Sequence, residues 1–208
     1  MDGTVLDTLE DLAVSVNYVL EKFNMPPHPV PEYRKYFGNG IKYALHCAVP
    51  EGTPEAVTER MIPFFKEHYD AHCLDRTKPY EGIPELLKLL KEEGYKIAIV
   101  SNKIDSAVKE LNDGFFSGYV DVAIGERKGV RRKPEPDTVL QALKELGSSK
   151  AEAVYVGDSE VDYQTAQNSG IPCILVLWGF RDKPFLLSTG AQKFAEKPAD
   201  IFDIVKTL

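Results

Sequence analysis

The sequence predicts an α/β protein built on a doubly wound, Rossmann-like parallel sheet. Short β-branched apolar runs alternate with amphipathic helical patterns along the C-terminal two thirds of the chain. Runs that are apolar on both faces are typical of parallel strands covered by helices. The strand candidates are 96–100, 119–124, 153–156 and 171–177. Strands and helices in this alternation form right-handed βαβ units, which build such a sheet.

Helical patterns lie between these strands and support the same fold. Residues 84–93, 138–146 and 161–168 repeat apolar positions at helical spacing. Each pattern ends close to a glycine, the residue that most readily takes the left-handed backbone conformation found at helix ends.

Residues 8–78 have a different character. Apolar residues recur at helical spacing from 9 to 23, and 41–48 and 56–72 also read as helices. Proline-rich breaks separate them, and no strand is predicted. We therefore predict a core domain formed by 1–7 and 79–208, with a small all-helical cap domain, 8–78, inserted after the first motif.

Charge and composition exclude several classes of partner. The 208 residues include 25 Lys and Arg against 32 Asp and Glu, which gives a net charge of −7. An acidic chain of this kind argues against nucleic acid or an anionic membrane as partner. Its 3 cysteines lack metal-site spacing, and no signal peptide or membrane-spanning run is visible. We expect a cytoplasmic protein, either a monomer or a homodimer.

The first candidate site is the stretch from Val156 to Asp162, where a predicted strand ends in glycine and is followed by two carboxylates. Asp158 stands at the strand tip and Asp162 in the first turn of the next helix. Carboxylates that converge there can hold Mg²⁺, a hard cation that prefers oxygen ligands. The alternative is helix capping, with Asp158 or Ser159 as the N-cap residue.

Two further candidate stretches lie near predicted strand ends. Ser101 and Asn102 follow the strand 96–100, where a hydroxyl and backbone N–H groups can bind a phosphate oxygen. An ordinary capping turn is the alternative. Lys133 precedes a loop stiffened by two prolines, and its ammonium group can offset the charge of a phosphoryl group.

A fourth stretch, Asp2-Gly3-Thr4, opens the chain and by itself predicts only a turn. Together and in this order, the four stretches resemble the haloacid dehalogenase superfamily of phosphatases. That family begins with Asp-x-Asp-Gly-Thr, has Ser or Thr after the second strand, a Lys before a later helix, and paired acidic residues after the fourth strand. The helical insertion and the sequences 133–137 and 157–162 are most similar to phosphoglycolate phosphatases and their close relatives.

The resemblance implies a phosphate-monoester hydrolase that uses Mg²⁺ and acts on a small phosphorylated metabolite such as phosphoglycolate. In the family, an Asp attacks phosphorus to form an aspartyl-phosphate. The Asp corresponding to Asp2 protonates the leaving oxygen and then activates water. The implied catalytic residues are Asp2, Ser101 and Lys133. The implied metal-binding residues are Asp2, Asp158 and Asp162: Asp158 ligates directly, Asp2 ligates through its main-chain carbonyl, and Asp162 acts through metal-bound water or by orienting Asp158. The implied phosphate-binding residues are Ser101, Asn102 and Lys133.

The chain departs from the family pattern at its first motif. Asp2 aligns with the second Asp of that motif and Met1 with the residue between the two, so the attacking Asp has no counterpart. The strand that precedes it in the family is also missing, which would open a gap in the core and expose two strand edges. We expect that the gene encodes a longer protein and that this sequence starts at one of its internal methionines. The alternative is a degenerate relative that binds phosphate esters without hydrolysing them. In both cases we expect this chain to be impaired.

Other functions fit the same motifs. A sugar-phosphate mutase of the superfamily would differ mainly in its cap and would require a bisphosphate activator. A pyrophosphatase or a nucleotidase with the same cap type would be distinguished by a substrate panel. A non-catalytic protein that recognises phosphorylated metabolites belongs to a different class.

Overall fold

Strands and helices alternate along most of the chain. The computed structural model describes all residues, Met1–Leu208. The strands are β1 (Leu6–Asp7), β2 (Lys78–Pro79), β3 (Ala98–Ile104), β4 (Val122–Glu126), β5 (Tyr155–Gly157), β6 (Cys173–Val176) and β7 (Phe194–Ala195). The α-helices are α1 (Leu9–Lys22), α2 (Gly40–Ala48), α3 (Glu55–His72), α4 (Ile83–Glu92), α5 (Asp105–Phe115), α6 (Asp137–Leu146), α7 (Glu160–Ser169), α8 (Lys183–Ser188) and α9 (Pro198–Val205). The 3-10 helices are Val30–Lys35 and Lys150–Glu152.

Two units make up the chain. The first contains Met1–Leu6 together with Pro79–Leu208, and the second is Asp7–Lys78. β1 and β2 pair with each other at the two points where the chain passes from one unit to the other. None of the helices combines the length and the apolar character that a bilayer crossing requires.

The first unit is an α/β structure with parallel strands, which confirms the predicted fold class. β3 pairs with β4, with Ala98 opposite Val122. β6 pairs with β5 on one side and with β7 on the other, again in parallel. The strands therefore form two hydrogen-bonded groups, β3–β4 and β5–β6–β7, and not one continuous sheet.

A cavity of about 210 Å³, here called the strand cavity, lies between the two groups. Its walls are residues 97–100 in and next to β3, residues 154–156 in and next to β5, and the apolar faces of α4 and α9. Met1 also lines it. Because β3 and β5 do not pair with each other, each presents an edge without a neighbouring strand to this space.

Some predicted strands have different bounds in the structure. β3 continues to Ile104, so Ser101 and Asn102 lie within the strand and not in a turn after it. The predicted strand 119–124 is shifted toward the C-terminus, because its first two residues are held in the turn that follows α5. β6 begins only after Pro172, which has no N–H group to give to a strand ladder.

The second unit is helical. Its buried apolar side chains include Val16, Val19, Leu20, Met61 and Phe65. The segment Val30–Lys35, which reads as a proline-rich break in the sequence, is a 3-10 helix with proline in its first turn. Asp11 is buried and accepts hydrogen bonds from the backbone N–H groups of Arg76 and Thr77. This carboxylate therefore ties the last residues of the unit to α1.

Candidate active site

Asp162 is the centre of a buried hydrogen-bond network at the carboxyl end of β5. Ser159 caps α7, and its hydroxyl donates to Asp162 Oδ2 at 2.7 Å. The same oxygen accepts the backbone N–H groups of Asp158 and Ser159. Oδ1 accepts from Lys133 Nζ at 2.7 Å and from the Tyr155 hydroxyl at 2.9 Å. The predicted Ser159 cap is therefore present, and both oxygens of Asp162 are engaged.

Lys133 and Asp162 form a buried ion pair. Burial opposes the charge of each group, but their mutual attraction and hydrogen bond outweigh it. The pKa of Lys133 is therefore raised and the pKa of Asp162 is lowered, so both are charged at neutral pH. Burial, and then the Asp162 carboxylate, raise the pKa of Tyr155 well above its usual value, which keeps its hydroxyl protonated.

Asn102 fixes the loop that carries Lys133. Its side-chain nitrogen donates to the Lys133 carbonyl at 3.1 Å, and its side-chain oxygen accepts the Lys133 N–H at 2.8 Å. The neighbouring Ser101 is buried, and its hydroxyl oxygen accepts the backbone N–H of Lys103 at 3.1 Å. A hydroxyl that accepts one bond can also donate its proton to an anionic oxygen. Phosphate binding by Asn102 stays a prediction, because its amide positions Lys133 in this arrangement.

Asp158 lies against the loop formed by the first residues of the chain. The Thr4 hydroxyl donates to its Oδ1 at 2.8 Å, and the Phe180 N–H donates to its Oδ2 at 2.9 Å. Glycine is needed at positions 3 and 179, since a Cβ atom on Gly3 or on Gly179 would overlap Asp158. This close approach leaves Asp158 only 2% exposed.

The charge of Asp158 is poorly compensated. Burial first, and the Asp162 carboxylate second, raise the pKa of Asp158 to about 6. Each of its oxygens accepts one hydrogen bond from Thr4 or Phe180, although a carboxylate oxygen has room for about two. A buried carboxylate with excess negative charge and spare acceptor capacity fits Mg²⁺, which proteins often bind through one or two carboxylates plus waters and substrate phosphates.

Asp158 is not part of a cluster of carboxylates that could hold a metal ion by themselves. No group of three or more His, Cys, Asp or Glu side chains is placed to hold an ion. Both oxygens of Asp162 already accept hydrogen bonds, from Lys133 and Tyr155 and from the helix-capping Ser159. Direct ligation by Asp162 therefore stays a prediction, and Asp158 is the side chain whose surroundings favour a cation.

Asp2 faces a lysine at the same end of the strands. Lys103 Nζ lies 3.2 Å from Asp2 Oδ1, and only 7% of the Lys103 side chain is exposed. The α-amino group of Met1 is buried nearby; burial first and Lys133 second lower its pKa, against the attraction of the surrounding aspartates. The charged groups that act on this amino group are Lys133, Asp2, Asp162 and Asp158. The structure therefore brings the predicted charged residues of the site together around Met1.

Three residues of this site were not predicted from the sequence. Thr4 donates to Asp158, Tyr155 donates to Asp162, and Lys103 pairs with Asp2. The sequence does contain a signal for Lys103, which stands two residues after the candidate Ser101. It contains none for Tyr155, which reads as one apolar position of a buried strand.

Replacing Asp158 by Asn should stabilise the metal-free chain at pH 8. The folded-state pKa of about 6 lies above the usual value of 3.8, so the carboxyl group lowers stability progressively from about pH 4 to pH 6 and fully above that range. Removing the charge should raise the free energy of unfolding by up to about 3 kcal/mol. Denaturant unfolding at pH 8 and at pH 4 measures this, and the gain should vanish at pH 4.

Mg²⁺ provides the control for this substitution. The unsubstituted chain should melt at a higher temperature in Mg²⁺ than in EDTA, because an ion that binds only the folded state stabilises it. The Asp158→Asn chain should show little or no such shift. An equal Mg²⁺ shift in both chains would exclude Asp158 as a ligand.

Comparison with known proteins identifies the family of this chain. A model described as Haloacid dehalogenase-like hydrolase matches residues 1–176. The chain belongs to this family. Membership confirms the resemblance drawn from the four sequence stretches, and it makes the carboxyl ends of the strands the expected place for the chemistry of a haloacid dehalogenase-like hydrolase.

Members of the family with curated names align with most of the chain. The phosphoglycolate phosphatase of Aquifex aeolicus is 32% identical over 181 residues, covering 86% of this chain and 83% of the relative. Phosphoglycolate phosphatase 1 of Pseudomonas aeruginosa is 32% identical over 187 residues, covering 86% of this chain and 68% of the relative. These matches bear out the prediction of an enzyme of the phosphatase type.

A solved structure within the family has nearly the same fold. It comes from Lactobacillus delbrueckii subsp. bulgaricus and carries a provisional phosphoglycolate phosphatase name. It superposes with a TM-score of 0.94 at 36% identity, covering 99% of this chain and 95% of that chain. The predicted α/β fold class is therefore confirmed in the haloacid dehalogenase-like hydrolases as well as in the chain itself.

Proposed function

We propose that this protein is a Mg²⁺-dependent phosphate-monoester hydrolase for a small phosphorylated metabolite of the phosphoglycolate type. The observation that carries the proposal is that a buried, charged Lys133 and an under-compensated Asp158 both lie against Asp162 at one end of parallel strands. An ammonium group and a carboxylate that can bind a cation, both in one buried network, suit a phosphoryl group, which is anionic and usually bound together with a metal ion. The curated phosphoglycolate phosphatases among the relatives support the substrate class.

Each side chain has a role in this proposal. Lys133, held by Asp162 and Tyr155, offsets the negative charge of the phosphoryl group. Ser101 donates its hydroxyl proton to a phosphoryl oxygen. Asp2 gives a proton to the leaving oxygen and then takes one from water. Positioning and electrostatic stabilisation of this kind supply most of the catalysis in phosphoryl transfer.

Asp158 and the main-chain carbonyl of Asp2 would hold the Mg²⁺ ion. When bound, the ion supplies positive charge that offsets the charge of the phosphoryl group. The helical unit Asp7–Lys78 would serve as the cap domain of the enzyme, and it would contribute to substrate choice.

We propose further that the 208-residue chain is impaired in turnover. The reaction would pass through an aspartyl-phosphate on the Asp that precedes Met1 in the family motif. In this chain the corresponding position is the buried α-amino group of Met1, which carries no carboxylate. The strand that would lead to that Asp would fit the strand cavity between β3 and β5. Binding of phosphate ligands should persist, with a weaker affinity for Mg²⁺ because one anionic metal ligand is missing.

The test is equilibrium binding of 2-phosphoglycolate to the 208-residue chain by isothermal titration calorimetry. We expect binding in Mg²⁺ that orthophosphate competes for and that EDTA weakens by at least about tenfold, since metal and phosphate share one site. Asp158→Asn should bind as weakly in Mg²⁺ as the unsubstituted chain in EDTA. Absence of binding under all conditions would overturn the proposed function.

Competing ligands separate the remaining alternatives. A sugar bisphosphate that binds much more tightly than 2-phosphoglycolate would indicate a mutase. Tighter binding of pyrophosphate or of a nucleoside monophosphate would indicate a pyrophosphatase or a nucleotidase. If a strand ending in Asp is restored ahead of Met1 and the protein still binds ligand without turnover, the binding-only alternative would be correct.

A further inference from the structure

Lys103 is a buried cation that the proposed reaction does not use. It stands two residues after Ser101 in β3, and its Nζ atom lies 3.2 Å from Asp2 Oδ1. Only 7% of its side chain is exposed. Withdrawing an ammonium group from water is costly, and the carboxylate that Lys103 contacts belongs to Asp2, whose own side chain is 20% exposed. A second anion at this position would compensate Lys103 further.

We infer that Lys103 determines specificity by binding a carboxylate on the organic part of the substrate. The inference rests on the proposed function, in which Asp2 protonates the leaving oxygen of the substrate. Asp2 therefore lies on the side of the phosphoryl group to which the organic part of the substrate is attached. Lys133 and Lys103 then divide the substrate between them. Lys133, with its Asp162 partner, faces the phosphoryl group, and Lys103, with its Asp2 partner, faces the leaving group.

The distances between Lys103, Asp2 and the leaving oxygen support these separate roles of the two lysines. The proton on Asp2 must lie within about 3 Å of the leaving oxygen in a productive complex. Lys103 Nζ, at 3.2 Å from Asp2 Oδ1, is then within roughly 6 Å of that oxygen. A carboxylate joined to the leaving oxygen through a single carbon extends into this space. An ammonium group has three N–H donors and can bridge two carboxylates, here Asp2 and the substrate.

The experiment compares two phosphate monoesters that differ in charge. Ethyl phosphate lacks the carboxylate of 2-phosphoglycolate but has the same phosphoryl group and a carbon chain of the same length. With Mg²⁺, the 208-residue chain should bind 2-phosphoglycolate at least about tenfold more tightly. In Lys103→Met the 2-phosphoglycolate affinity should fall by about 10- to 100-fold, the loss of a hydrogen bond between charged groups. Ethyl phosphate should change by less than about threefold.

Two further variants keep the result interpretable. Lys103→Gln retains N–H donors for Asp2 without the charge; if Lys103→Met does not fold, the glutamine variant should show the same selective loss. Lys91→Met removes a lysine that pairs with Asp121, and this matched control should leave both affinities unchanged.

The outcomes separate this inference from the proposed function. Equal loss of both ligands in the Lys103 variants would mean that Lys103 only positions Asp2, and the inference would be wrong. Equal affinity of the unsubstituted chain for the two esters would overturn the inference while leaving the phosphatase proposal intact. Failure of the unsubstituted chain to bind either ester would refute the proposed function itself.

Discussion

Extending the chain at its N-terminus with an apolar β-strand that ends in Asp directly before Met1 should raise Mg²⁺-dependent hydrolysis by at least about a thousandfold. Loss of a catalytic nucleophile costs up to about 10⁶-fold in well-studied hydrolases, so restoring one sets the upper bound. The added Asp would convert the Met1 α-amino group into a peptide N–H and would bring a carboxylate close to Lys133 and the aspartates that surround this nitrogen. Release of phosphate from 2-phosphoglycolate measures the gain.

The strand cavity explains why the extension should be a strand and not a lone residue. About five residues is a usual strand length, and the cavity runs beside residues 97–100 and 154–156. Both edges that border it lack a neighbouring strand, so an inserted strand could pair with β3 and β5 together. Its side chains should be apolar on both faces, as in parallel strands that are covered on both sides.

A matched extension controls for folding. The same added strand ending in Asn in place of Asp should stabilise the protein to a similar degree and leave hydrolysis at the level of the 208-residue chain. If the Asn and Asp extensions hydrolyse substrate equally well, or if the 208-residue chain already turns over rapidly with Mg²⁺, the assignment of the nucleophile is wrong.

Replacing Lys133 by Met should cost about 3–5 kcal/mol of unfolding free energy. The substitution leaves the Asp162 carboxylate buried without its ion-pair partner, and breaking a buried pair by removing one member has a cost of this size. Lys133 is 7% exposed and Asp162 5%, so solvent cannot take over the lost interaction. Denaturant unfolding at pH 7 measures the loss, and phosphate affinity should fall at the same time.

The double variant distinguishes an unpaired charge from a loss of packing. Lys133→Met combined with Asp162→Asn removes both charges and should recover much of the stability, because replacing a whole buried pair is often close to neutral. It should not recover phosphate binding, since the ammonium group is still absent. Lys91→Met, which breaks a pair nearer the surface, should change stability little. A double variant as unstable as Lys133→Met would contradict the proposed role of the charge.

The sequence could predict the location of the site because parallel topology places strand ends together. Asp158 and Lys133 each stand near the end of a predicted strand, and the carboxyl ends of such strands meet at one edge. The Ser159 cap could also be predicted, because a Ser followed three residues later by an acidic residue is a local sequence signal for a helix N-terminus. These features depend on spacing along the chain, which periodicity reveals.

The partners of the charged residues could not be predicted in the same way. Lys103 and Asp2 are about 100 positions apart in the chain, and nothing local to either indicates the other. Asp158 and Asp162 read as equivalent carboxylates, yet the pKa of one is raised and that of the other is lowered. The difference comes from Lys133, which only the folded chain brings to Asp162. Burial and long-range pairing therefore decide which carboxylate is a counter-ion and which is available to a cation.

The unpaired edges of β3 and β5 have a consequence for how the chain behaves at high concentration. A strand edge with free N–H and C=O groups can template pairing with another molecule. Two such edges across one apolar space invite an extended segment of a second chain to enter, as in domain swapping or the early steps of fibril growth. Filling the space with a covalently attached strand would remove this route to aggregation.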